Sequence, residues 1–244
     1  MRIKYQASFF ADLSTLAATP ENTVTLLTNL NARGVGLLPS TMHEIAPPNM
    51  TPVPRLRFTS PSGDSEVVVG TGRLDVVRQV PIFSGTEIEP FGAFAEFVER
   101  CTSAIFQGRT IMGSRLALIV QTITGELPPA TLSDHFRKLF TAPTFYTQHP
   151  PSEWTFRANS QPNLPFDQFN EPVNTILKTE RVQGKATQES GVWQDFDRVI
   201  SEFDINTRPT DITPRFSPAV LRSFVEAASP MIDSLETDLA AKLA

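Results

Sequence analysis

Two amphipathic helix patterns, each closing a run of short alternating segments, constrain this chain more than any other feature. After Pro90, residues Phe91, Phe94, Phe97, Val98, Cys101 and Ile105 recur at three- and four-residue spacings, and Gly108 stops the pattern. After Ser217-Pro218, a cap followed by a helix-starting proline, Val220, Leu221, Phe224, Val225 and Ala228 share a face. Ser229-Pro230 repeats that signal and predicts a kink or restart before Met231, Ile232, Leu235 and Leu239. A helix with one apolar stripe must cover a hydrophobic surface, and the segments before each helix supply strands to be covered.

Those segments come in the same order twice. In the first half, YQASFFADL reads as a strand, and Thr19-Pro20 caps a helix carrying Val24, Leu26, Leu27 and Leu30 until Gly34. Extended patterns follow in VGLLPSTMHEI, PRLRFTS, EVVVG and RLDVVRQV, punctuated by Ser60-Pro61-Ser62-Gly63-Asp64 and by the Gly70-Thr71-Gly72 turn. The second half repeats the scheme with RLALIVQTIT, the short amphipathic LSDHFRKLF, then SEWTFRA, VNTILKTERV and VWQDFDRVISEFDIN. The expected fold is α+β: two tandem β-α-β-β-β-α units, residues 1–112 and 113–244, fused as one pseudo-twofold domain. They would form a curved antiparallel sheet with helices packed on one face, and joining the halves would pair strand edges that otherwise invite aggregation. This element order resembles a duplicated TATA-binding-protein-like fold, in topology alone, and implies nothing about DNA.

Composition excludes several functions. The 21 prolines among 244 residues lie mostly between patterned segments and argue against long bundles. One cysteine, Cys101, allows no internal disulfide and no cysteine-rich zinc motif, so a reducing, cytoplasmic setting is expected. No stretch approaches the length of a spanning helix, and no membrane association is expected. The net charge is −5, and neither half has a basic excess, which speaks against a phosphate-binding platform.

The residues that carry chemistry are few and scattered. His43-Glu44 lacks the second histidine of a metalloprotease helix, because position 47 is proline; His135 stands beside Asp134, and His149 precedes two prolines. Cys101 falls on an apolar helix face, where it reads as core. Neither metal nor cofactor is expected, and no catalytic residue is assigned. Asp195 and Asp197 alternate on one strand and Asp204 interrupts an apolar one, which leaves open an enzyme or small-ligand receptor with a carboxylate-containing cleft between sheet and helices. The segment around Pro150-Pro151 concentrates Phe145, Tyr146, Trp154 and Phe156, the composition of a partner-binding surface or of a loop anchored on the sheet.

The ending Phe203-Asp204-Ile205-Asn206, followed by the Leu- and Phe-bearing stretch Phe216 to Leu239, resembles a sporadically distributed, uncharacterised bacterial protein family. EVVVGTGRLDVV, PFGAFAEFVERCTSAI and GSRLALIV extend the likeness over most of the chain. The resemblance implies an accessory gene of toxin–antitoxin, phage-defence or immunity type. The expected function is therefore a non-enzymatic antitoxin-, chaperone- or phage-defence-associated subunit that holds a partner polypeptide, encoded in the same operon, on a sheet face or on the aromatic loop. Nucleic acid is the disfavoured alternative, through a saddle, and self-association is left open.

Overall fold

The structure is a computed structural model that describes residues 1–45, 51–80, 86–187 and 193–244. Pro47 and Val192, both used in the sequence reading, lie outside the described residues. The first half runs β1 (Arg2–Phe10), α1 (Pro20–Ala32), β2 (Leu38–Ile45), β3 (Pro52–Thr59), β4 (Ser65–Val69), β5 (Arg73–Gln79) and α2 (Phe91–Ile105). The second runs β6 (Arg115–Ile123), α3 (Pro129–Leu139), α4 (Thr144–Gln148), β7 (Trp154–Ser160), β8 (Asn163–Phe166), β9 (Phe169–Thr187), β10 (Trp193–Thr207) and α5 (Val220–Leu243).

Local chemistry sets most of these limits. Thr19 caps α1 by accepting a hydrogen bond from the Asn22 N–H at 3.2 Å, with Pro20 in the first turn. Gly34, at φ +69°, then leaves the helix through the left-handed region. At the other end of the chain the expected restart at Pro230 is absent: α5 runs unbroken through that residue. Proline removes one N–H of the ladder, but Ala228 and Ile232 on either side are fully buried in the core, and that packing holds the helix together.

All strands join one antiparallel sheet in the order β2-β3-β4-β5-β1-β6-β10-β9-β7, with β8 paired to β9. β1 and β6 meet at the centre, Ala7 opposite Leu118, and the order outward from that pair is last strand, then preceding strand, on both sides. Alternation along β1 places Tyr5, Ala7 and Phe9 on the helical side, where α1, α2 and α5 bury Leu26, Leu30, Phe94, Val98, Leu221 and Phe224 in one continuous core. The described helices pack on this face, as expected. Where the halves join, Gly113 exchanges backbone hydrogen bonds with Phe216 at 2.7 and 2.9 Å, and a β-carbon there would stand 2.7 Å from the Phe9 ring. Only glycine fits that approach.

Besides the short 3-10 turn Ser14–Leu16, two elements have no counterpart in the sequence pattern. The segment 143–156, expected as a plain connection, contains the one-turn α4. β8 turns back onto α5 through Leu164 and Phe166, the latter 5.3 Å from the Phe224 ring.

Candidate functional site

The face of the sheet away from the helices carries Lys4, Gln6, Ser8 and Phe10 of β1 and their cross-strand neighbours, and none of the described helices covers it. At its centre the short side chains of Ser8 and Asn206 are each 2% exposed, between half-buried neighbours such as Gln6, Ile119 and Ile176. The polar groups there satisfy one another. Ser8 Oγ donates to Asp75 at 2.5 Å, and Arg73 binds the same carboxylate at 2.7 Å. Arg57 pairs with Glu66 at 2.7 Å, Lys178 with Glu180 at 2.8 Å, and Gln121 donates to Glu202 at 2.8 Å. Further out, Glu44 accepts hydrogen bonds from the Thr71 N–H and hydroxyl, both at 2.7 Å, beside the buried Arg55. Charges held in this way have few valences left for phosphate.

Asp204 sits in the same face with a different environment. Burial raises its carboxyl above the usual range, opposed by a 2.8 Å hydrogen bond from Asn206 and by the field of Arg115. Asp195 and Asp197 occupy the other side of β10, the side of Val199. Asp197 takes both ends of a bidentate Arg181 fork at 2.8 and 2.5 Å, which holds it below the usual carboxylate range. The structure therefore does not bring the three carboxylates together. A cavity of about 570 Å³ does open between α5 and the sheet, lined by Tyr5, Ile88, Val199, Phe203, Leu239 and Leu243 among others. Two carboxylates line it, Glu87 and Glu236; the latter binds Arg2, whose guanidinium also stacks 4.6 Å over Phe91.

The four aromatics expected to bind a partner divide into two pairs. Phe145 and Tyr146 on α4 are 64% and 44% exposed and pack edge to face at 5.5 Å. Trp154, 7% exposed, enters a separate small core with Leu132, Phe136 and Val199, and Phe156 meets Phe140 edge on at 6.0 Å. The histidines stay apart: His43 is on β2, His135 is buried on α3, and His149 lies against Phe145. Burial pushes the Cys101 thiol up to about 12, which keeps it protonated. Among the described residues no cluster of three or more His, Cys, Asp or Glu could hold a metal ion, and no helix is long and apolar enough to cross a membrane.

One further site has no signature in the sequence, because its parts are far apart in the chain. A groove of about 520 Å³ runs across the ends of the central strands, between Phe10, the Thr71-Gly72 turn, Arg115 and the loop 209–214. Arg115 lies 4.6 Å over the Phe10 ring, its Nε buried and without a hydrogen-bond partner. Nothing in GSRLALIV separates this arginine from any other at the start of a strand.

No protein-family model matches this chain, and no curated protein does. A solved structure of a rolling circle replication initiator protein from Geobacillus stearothermophilus aligns at 11% identity over 85% of this chain and 73% of its own, with a TM-score of 0.26. At that score the likeness carries no argument about fold or function.

Proposed function

We propose that this chain is a non-enzymatic interaction subunit that holds a partner polypeptide against the uncovered face of its sheet. The observation that carries the reading is that face itself: a broad pleated surface that none of the described helices covers, on which Arg73, Arg57 and Lys178 are already paired with Asp75, Glu66 and Glu180. Such a surface offers shape, apolar contacts from Ile119, Ile176 and Val68, and sheet edges for strand addition. It offers little to a polyanion, and the net charge of −5 works in the same direction. Phe145 and Tyr146 extend the docking surface beyond the sheet; Trp154 supports it from within. In this reading the two units, 1–112 and 113–244, arose by duplication of one module, and the partner is encoded beside it in an accessory, antitoxin- or defence-type operon of a cytoplasmic system.

Photo-crosslinking tests the proposal. A benzophenone side chain at Ile119 or Ile176, on the uncovered face, is expected to capture one defined polypeptide in cells, whereas the same group at exposed Val24 on α1 captures none. The captured chain, produced recombinantly, should form a complex of defined stoichiometry by light scattering. Equal capture from both faces, or only copies of this chain, would overturn it.

A further inference from the structure

We infer that the Phe10/Arg115 groove is an anchor for a carboxylate on the partner polypeptide, flanked there by an apolar side chain. The inference rests on the partner-binding reading above and adds the chemistry by which the partner is recognised.

The argument begins with Arg115. A guanidinium carries five donors in a planar fork, and one taken partly out of water is ordinarily satisfied by carboxylates or carbonyls. Within the uncovered face Arg57 and Arg73 hydrogen-bond Glu66 and Asp75, and Arg55, whose Nε and Nη1 also lack hydrogen bonds, keeps Glu44 at 3.5 Å and donates to the Thr71 hydroxyl. Arg115 makes no hydrogen bond or ion pair among the described residues; it has the Phe10 ring beneath it and a buried, unsatisfied Nε. Burial also lowers its pKa, and the field of Asp204 offsets only part of that. A cation desolvated in this way gains most from an incoming anion.

The groove decides which anion. Its other charged lining groups are the carboxylates of Asp12 and Asp211, held by the Ser14 and Thr213 N–H groups at 2.9 and 3.0 Å. Arg73, the nearest second cation on Phe10, is committed to Asp75. Asp211 is also paired with Arg215 at 3.2 Å, which leaves Arg115 as the open charge of the groove; a single carboxylate can pair with it, whereas a phosphate dianion is repelled more strongly by Asp12 and Asp211. Beside it, Met112, 43% exposed, and Ile212, 79% exposed, form an apolar rim with Pro209 and Pro214. The groove is continuous with the uncovered face through Phe10 and Arg115, so a chain lying on the sheet leads into it.

The test uses the full chain, labelled with ¹⁵N, and the acetylated tripeptide Ac-Ala-Val-Leu with a free C-terminal carboxylate. Saturable shifts of the Arg115 Nε–Hε resonance and of the Ala11 and Gly72 amides are expected at millimolar peptide. The C-terminal amide of the same peptide should bind about tenfold or more weakly, the cost of one charge-assisted pair. Arg115→Gln should abolish the shifts while leaving the rest of the spectrum in place, and Met112→Ser should weaken binding without removing it. Absence of saturation, equal binding of the amide, or tighter binding of inorganic phosphate would overturn the assignment. If Arg115→Gln still crosslinks its partner at Ile119 and the peptide leaves Arg115 unmoved, the groove inference fails and the partner reading stands. Peptide binding with no partner captured at Ile119 gives the reverse result.

Discussion

The helices α1 and α3 occupy the same place in the element order, directly after the first strand of each half, yet they end in different surroundings. α1 drives Leu26 and Leu30, both fully buried, into the core shared with α2 and α5. α3 packs Leu132 and Phe136 against Trp154 and Val199 in a cluster of its own. That small core also contains two polar atoms with no hydrogen-bond partner, His135 Nδ1 and Trp154 Nε1. A repeated order of elements thus does not give repeated anchoring: the position of a helix follows from strand connectivity, whereas its stability follows from the apolar area it shares.

Cutting into the two helices should reveal this difference. Leu30→Ala is expected to destabilise the whole chain by about 2–5 kcal/mol, because the cavity opens in the shared core. Urea unfolding followed by circular dichroism should show one transition at a lower midpoint. Phe136→Ala should cost about 1–3 kcal/mol and act locally. Hydrogen exchange would then speed up in α3 and β7 while β1 amides keep their protection; loss of β1 protection as well would make the two cores one cooperative unit and remove the contrast.

Acid should act on α3 and spare α1. Burial, reinforced by Lys138 and opposed by Asp134, holds the His135 imidazole below its ordinary pKa, so the folded state prefers the neutral ring. Its contribution is therefore complete above the unfolded pKa of about 6.5 and is lost as pH falls from there toward the lower folded value. In a Trp193→Phe background, Trp154 fluorescence should report loosening of the small core below neutrality, and His135→Gln should flatten that dependence. The smallest effect belongs to the free edge of the first half. Ile45→Lys on β2, at an exposed position, should change stability by less than about 0.5 kcal/mol. Charge on that edge should also reduce any strand-to-strand association seen by light scattering. A large loss of stability at Ile45 would mean that the edge is structurally engaged.

How far the sequence was legible depended on how local the signal was. Thr19-Pro20, Gly34, Gly108 and the Gly70-Thr71-Gly72 turn each stand where they were expected, since a cap or a turn is decided within a few residues; Ser217-Pro218 does not, because α5 starts later, at Val220, without a side-chain cap. β8 gave no such signal. NLPF is four residues long and contains a proline, and what makes it a strand is pairing with β9 and the rings of Phe216 and Phe224 from far along the chain. The continuity of α5 through Pro230 was illegible for the same reason, the packing around Ala228 and Ile232 outweighing a local helix-breaking signal.

Periodicity alone determined that this chain would be an α+β protein with strands ahead of each long helix, because alternation of two and recurrence of three to four fix which side chains share a face. The tertiary structure alone decided that Trp154 turns inward while Phe145 and Tyr146 stay out, and that Arg115 meets Phe10 without a partner carboxylate. Such features depend on the register between strands distant in sequence, and burial, charge pairing and open valences are set only once those strands have been brought side by side.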